Sequence, residues 1–190
     1  MAFHISDVFV DNRPRKFALA ERHFNPPFVQ ALRLLGLDRL YTRGEACYVY
    51  DNKDNRYLDF LSGYGVINLG HDHPVVRQAL TEALGQSWPN TLQMDTSPVA
   101  AALAEQLVRR APGGLDVVRF GNSGSEAVEM AMKFSCRATR RAKLVAAQNG
   151  YHGLTYGTLS LSGRPDARQD GFRPVVPDCE LVPFNDIDAL

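Results

Sequence analysis

The chain has 190 residues, 45% of them hydrophobic and 22% charged, the proportions of a globular domain able to bury a core and not those of a disordered segment. Its 21 basic and 21 acidic residues cancel, which leaves no electrostatic footprint for nucleic acid or for an anionic membrane as partner. The 3 cysteines, Cys47, Cys136 and Cys179, are widely spaced and odd in number, so reduced thiols are expected rather than a disulfide framework or a zinc site, and none is placed like a nucleophile.

The N-terminal MAFHISDVFVDNRPRK has acids where a signal peptide would be apolar, and no apolar run approaches the roughly 18 residues of a membrane span. A cytoplasmic protein is expected. ERHFNPPFVQALRLLGLDRL predicts a short helix after Pro26-Pro27 that ends near Gly36. GEACYVYDNKDNRYLDFLSGYG places two β-rich runs, ACYVY and RYLDF, around the turn cluster DNKDN, the pattern of an antiparallel hairpin. In GHDHP, His71 and His73 have no further ligand set at metal spacing, so a turn entering a helix at Pro74 is the expectation. HPVVRQALTEALGQS carries Val75, Ala79, Leu80, Ala83 and Leu84 at helical spacing. SPVAAALAEQLVRRAPGG repeats that grammar, with Ser97 as N-cap, Pro98 at the first position and Pro-Gly-Gly after the end.

Beyond these helices the text predicts strand, helix, strand: DVVRF, then SEAVEMAMKFSCRATRR, then KLVAAQ, with CELVPF as a third apolar run. That pattern is a βαβ unit of a parallel sheet, and NDIDAL reads as the start of another helix. So short a start cannot stand alone in water, and three parallel strands leave apolar sheet surface that further elements would cover. A fragment or half of a larger protein is therefore expected.

FGNSGSEAVEMAMK has two readings. Ser123-Gly124-Ser125-Glu126 matches the S-x-x-E capping box, in which serine and glutamate satisfy orphan backbone N–H groups. Glu126 and Glu129 near the helix start and Arg137, Arg140 and Arg141 near its end also complement the dipole. The same orphan N–H groups, after a strand and beside a glycine, suit an anion. The stretch is neither a P-loop nor the GxGxxG of a dinucleotide fold. KLVAAQ runs into Asn149-Gly150-Tyr151-His152-Gly153, which puts an aromatic ring and an imidazole at the carboxyl end of a strand, where open α/β sheets bind ligands. Phosphate donors at one strand end and a flat aromatic face at the next would receive an aromatic phosphate ester. Pyridoxal 5'-phosphate is such a ligand.

FGNSGSEAVEMAMKFSCRATRRAKLVAAQNGYHGLTYGTLSLSG resembles the cofactor-binding stretch of the class III pyridoxal-phosphate aminotransferases. GEACYVYDNKDNRYLDFLSGYGVINLGHDHPVVRQAL is similar to that family's N-terminal hairpin and first helix, and VPFNDIDAL to the segment leading into its next helix. The resemblance implies an α/β fold of the PLP-dependent transferase fold type I, here incomplete. It comprises a small-domain segment with the hairpin over residues 1–72 and the first part of the large, mainly parallel-sheet domain over 73–190. It implies cofactor phosphate on Gly124 and Ser125 with Ser123 beside them, Tyr151 stacked on the pyridine ring, His152 in the pocket wall, and Gly63 and Tyr64 on the substrate side. Its partners would be an amine or amino acid and a keto acid, in a homodimer or with a complementary C-terminal polypeptide.

The family's cofactor-holding lysine and the acid against the pyridine nitrogen lie beyond the end of this chain. Lys16, Lys53, Lys133 and Lys143 match no such motif, so no residue is assigned a catalytic role and the chain alone is expected not to transaminate. The alternatives are another enzyme on the same cofactor and fold (an aminomutase, decarboxylase or racemase) or a non-catalytic binding or assembly module.

Overall fold

The computed structural model describes residues 4–89, 92–163, 171–172 and 175–190. Backbone contacts divide the chain into two compact units, Met1–Thr91 and Leu92–Leu190.

The first unit opens with α1 (Ile5–Asn12), α2 (Lys16–His23) and α3 (Pro26–Leu34). The third is the helix expected after the double proline: Asn25 caps it by accepting from the Phe28 N–H at 3.1 Å, and proline at the first turn sacrifices no helical hydrogen bond. Arg33 on α3 reaches back to Glu21 on α2 through two parallel N–H···O bonds of 2.8 and 2.9 Å, and Val29 is buried.

The hairpin follows as β2 (Tyr48–Asp51) and β3 (Arg56–Leu58), with β1 (Tyr41–Glu45) on the other edge of β2. Both pairings are antiparallel, Val49 facing Tyr57 and Gly44 facing Val49. The DNKDN turn closes on one carboxylate. Asp51 accepts from the Lys53 and Asn55 backbone N–H groups at 2.8 and 3.0 Å, the Asn55 side-chain amide at 3.0 Å and the Tyr57 hydroxyl at 2.9 Å. These donors hold the buried carboxyl down to about 2, the Asn55 amide contributing most; donors aimed at the charged form stabilise it. After the short turn α4 (Ser62–Gly65), α5 (Pro74–Leu84) completes the unit. Pro74 takes its first position behind His73, and the chain before it is stitched to the sheet by an Ala46–His71 bridge. Gly70 is required there: its φ is +89°, and a Cβ would sit 2.9 Å from the Ala46 backbone.

The second unit contains α6 (Pro98–Val108), α7 (Gly124–Thr139), β4 (Leu144–Ala147), α8 (Tyr156–Ser160) and β5 (Cys179–Val182). Ser97 caps α6 from the Ala100 N–H at 3.4 Å, as its sequence position predicts. β4 and β5 pair in parallel, Leu144 with Cys179 through to Ala147 with Val182. A buried strip from Gly157 to Gly163 and Met132 of α7 supply the interior of this unit.

Two expectations are corrected here. DVVRF forms no strand: residues 116–120 pair with nothing among the described residues, and Val117 is 90% exposed. A strand exists only through its ladder, and β-branched residues without a neighbouring edge remain merely extended. The parallel pair is therefore β4 with β5, with α8 in the connection between them, and not DVVRF with KLVAAQ across α7. NDIDAL likewise makes turns instead of a helix. Asp186 does accept from the Asp188 and Ala189 N–H groups at 3.2 and 3.1 Å, so a capping contact forms while the helix, too short to repay nucleation, does not.

Candidate cofactor-binding site

The Ser123–Glu126 stretch uses different atoms for capping and for the donors left at the helix end. Ser123 is extended, and its Oγ accepts from the Glu126 N–H at 3.2 Å, while its carbonyl takes the Ala127 N–H. The glutamate half of the capping box is altered: the Glu126 carboxylate accepts from the Asn122 N–H instead of that of Ser123. The N–H groups of Gly124 and Ser125, in the first turn of α7, have no acceptor among the described residues. The helix thus caps itself and still offers two aligned donors at its positive end.

The loop after β4 folds directly onto this end. Gly153 adopts φ +125°, and a Cβ built on it would collide with the Ser125 hydroxyl, lie 2.9 Å from Ser125 Cβ and 2.7 Å from Thr158 Oγ1. Only glycine permits that approach. Two residues earlier Tyr151 is 65% exposed. The neighbouring His152 is half-buried and folds its ring over Gly150, whose Cβ position lies 3.0 Å from the imidazole Nε2. The His152 N–H donates to Ser162 Oγ at 2.9 Å, the Ser162 hydroxyl lies 3.2 Å from the Gly153 carbonyl and 2.8 Å from that of Thr158, and Gly163 N–H donates to the Gly150 carbonyl at 2.8 Å. Ser123, Gly124, Ser125, Tyr151 and His152 therefore belong to one neighbourhood.

Gly63 and Tyr64 lie in the first unit, in a turn with left-handed backbone: φ is 59° at Gly63 and 58° at Tyr64, and 47° at the preceding Ser62. Asp59 sustains it, accepting from the Leu61 and Ser62 N–H groups at 3.0 Å each while its other oxygen meets His71 Nε2 at 2.8 Å. The Ser62 N–H foremost, then His71, lower the Asp59 carboxyl below its ordinary range. His71 is thus spent on Asp59, and Tyr64 is left 89% exposed.

Three residues near the site had not been anticipated. Gly153 was visible only as the second glycine of GYHG. Ser162 is one of a run of small polar residues with no spacing signal. Glu129 reads as a dipole-complementing acid, yet its Oε1 accepts from Thr155 Oγ1 at 2.6 Å and from the Gly157 N–H at 3.0 Å.

A helix end with unspent donors, packed against a loop that carries an exposed aromatic ring, fits an aromatic anion. The chain belongs to the class III aminotransferase family, whose model, described as Aminotransferase class-III, matches residues 34–190. It is 38% identical over 189 residues to Aminotransferase PigE of Serratia sp., covering 98% of this chain and 22% of that protein. Acetylornithine aminotransferase of Bacillus cereus is 42% identical over 156 residues, covering 79% of this chain and 38% of that protein. Among solved structures, the omega transaminase from Pseudomonas jessenii in complex with PMP superposes with a TM-score of 0.68 at 28% identity, over 82% of this chain and 35% of that one. The ornithine aminotransferase from Toxoplasma gondii does so with a TM-score of 0.69 at 26% identity, over 85% and 40%. The chain thus spans less than half the length of these relatives. They are named as aminotransferases or transaminases, which favours that reading over an aminomutase, decarboxylase, racemase or non-catalytic module. The fold is the α/β fold type I of these enzymes.

Proposed function

We propose that this chain supplies the pyridoxal 5'-phosphate-binding part of an aminotransferase that moves an amino group between an amine or amino acid and a keto acid. The approach of Gly153 to Ser125 carries the reading, because it joins the N-terminus of α7 to the loop bearing Tyr151. Gly124 and Ser125 would hold the phosphate through backbone N–H groups and the Ser125 hydroxyl, with Ser123 beside them keeping the cap closed. Tyr151 would lie against the pyridine face and His152 would wall the pocket. When bound, the cofactor supplies an electron sink for the carbon that carries the amino group. The left-handed turn at Gly63 and Tyr64 is assigned to the substrate side; strained backbone clusters at binding sites because surrounding contacts must over-determine it.

Lys133 lies two turns along α7 from Ser125, and Lys143 pairs with Glu180 at 2.9 Å, so neither is positioned to hold the cofactor's aldehyde carbon. In this reading the lysine belongs to a part of the enzyme outside these 190 residues, and the assembled enzyme is a homodimer in the cytoplasm. Among the described residues no helix is long and apolar enough to cross a membrane. Residues 1–72 would belong to a small domain and 73–190 to the large one; α5, which clusters with the first unit, distinguishes this division from one near residue 91.

Titrating the 15N-labelled chain with pyridoxal 5'-phosphate should shift the amides of Gly124, Ser125 and Tyr151 together. Ser125→Ala should weaken binding by about 1 to 2 kcal/mol, the worth of a charge-assisted hydrogen bond. Unchanged affinity in Ser125→Ala would leave the motif a helix cap and nothing more.

A further inference from the structure

We infer that Glu129 is a positioning residue for the cofactor site, fixing the Tyr151 loop onto the start of α7; this rests on the reading of Ser125 and Tyr151 as that site. Glu129 follows Ser125 by one helical turn, so both side chains rise from the same face of α7. Ser125 meets the loop at Gly153 and Glu129 meets it at Thr155 and Gly157. The loop is therefore held at two points of one helical face, one of them charged.

The lower point is built for close approach. Gly157 has no side chain, and a Cβ there would lie 2.5 Å from Glu129 Oε1 and 2.7 Å from its carboxyl carbon. With the carboxylate seated against the bare Cα, one oxygen receives both the Thr155 hydroxyl and the Gly157 N–H, and bonds to a charged acceptor are the stronger kind. Thr155 and Thr158 then lock to each other, the Thr155 N–H donating to Thr158 Oγ1 at 3.0 Å. Thr158 is the residue whose hydroxyl stands with Ser125 against Gly153. A continuous set of contacts thus leads from Glu129 through Thr155 and Thr158 to the Gly153–Ser125 approach. Ser162 fixes the other end through the His152 N–H.

Among the described residues Glu129 accepts from Thr155 and Gly157 and not from the N–H groups of Gly124 and Ser125. Its effect on a ligand there passes through the loop, and a substitution should alter cofactor affinity without disturbing the helix.

The test uses the full 190-residue chain, 15N- and 13C-labelled, as wild type, Glu129→Ala, Glu129→Gln and Gly157→Ala, with Ser125→Ala as reference for the site. Two quantities are read: the dissociation constant for pyridoxal 5'-phosphate, and, without ligand, the nuclear Overhauser contact between Gly153 Hα and Ser125 Hβ alongside amide exchange along α7. Positioning requires that Glu129→Ala lose the Gly153–Ser125 contact, keep α7 protection at wild-type level and weaken binding by about tenfold, the loss of one charge-assisted bond. Glu129→Gln, whose amide oxygen still accepts from Gly157, should recover most of the affinity, and Gly157→Ala should imitate Glu129→Ala. The inference is overturned if Glu129→Ala retains the contact, or retains wild-type affinity while Ser125→Ala loses it. If the wild type binds no pyridoxal 5'-phosphate, the cofactor reading fails, and the ligand-free contact still decides whether Glu129 sets the loop. Should Glu129→Ala not fold, Gly157→Ala takes its place with the same two outcomes.

Discussion

The DNKDN turn and the GYHG loop are both short, polar and rich in turn residues, yet they use their polar groups in opposite ways. In the first, one carboxylate collects every donor from within six residues: Asp51 is satisfied by Lys53, Asn55 and Tyr57. In the second, the anchors come from afar, Glu129 on α7 and Ser162 beyond α8, and the amides of Gly124 and Ser125 beside it have no acceptor among the described residues. A closed local network makes a rigid turn that needs nothing further. In the proposed function, a loop fixed from outside next to such donors would serve as a receptor, because its binding groups would be held in place without being consumed.

The contrast breaks most severely at Gly153. In Gly153→Ala the new methyl must occupy the space of the Ser125 hydroxyl on a backbone at φ +125°. Strain and overpacking together should cost about 3 kcal/mol. A urea titration should show the lowered midpoint, and pyridoxal 5'-phosphate binding should be lost. A variant with both properties intact would mean that the loop does not press on Ser125.

The turn should fail next, and in a pH-dependent way. The Asp51 carboxyl is held at about 2, below its ordinary 3.8, so the folded state binds its proton less readily than the unfolded chain. Its contribution is complete above the ordinary value and disappears as pH falls through the folded one. Asp51→Ala should lower the melting temperature at pH 7 and flatten its dependence between pH 4 and pH 2, leaving cofactor affinity unchanged. Thermal melts across that window check it; an unaltered acid limb would show that other carboxylates govern acid unfolding.

Ser123→Ala separates capping from binding. Losing the bond to the Glu126 N–H should cost about 1 kcal/mol of stability, visible as a modest fall in urea midpoint. Cofactor affinity should fall less than in Ser125→Ala, since Ser123 Oγ is already engaged. An equal or larger loss of affinity would move the phosphate contact to Ser123.

The same division between local and distant contacts explains what could be read from the amino acids. Helix α3 announces itself through Pro26-Pro27 and helices α6 and α7 through Ser97 and Ser123, while Asn25, Ser97 and Ser123 each cap their own helix. The hairpin is legible because DNKDN carries its own closure. α1 and α2 have no side-chain cap at all, and β1 depends on β2, with Arg43 stacked 3.6 Å from the Tyr50 ring centre. DVVRF failed as a strand for the converse reason: its residues are suitable, but pairing is decided by a neighbour. At the site, the small residues at Ser123–Ser125 and the Tyr151-His152 pair stand out. Glu129 does not, because its partners lie 26 and 28 residues further on, and an acid early in a helix already has an ordinary explanation.

The smallest effect is expected where a contact is distant in sequence but open to water. Lys143, just before β4, meets Glu180 of β5 at 2.9 Å, with side chains 66% and 54% exposed. The hydrogen bond to Glu180 raises the lysine's affinity for its proton. That stabilisation is present below the ordinary lysine value and is lost as pH rises through the raised one. Solvent screening reduces it so far that Lys143→Met should leave the urea midpoint close to that of the wild type, and a few tenths molar salt should erase any difference. A larger, salt-resistant loss would mean that the β4–β5 pairing depends on this ion pair. Sequence distance would then be enough to make an anchor, and the half-buried position of Glu129 would no longer distinguish the loop proposed to hold a ligand.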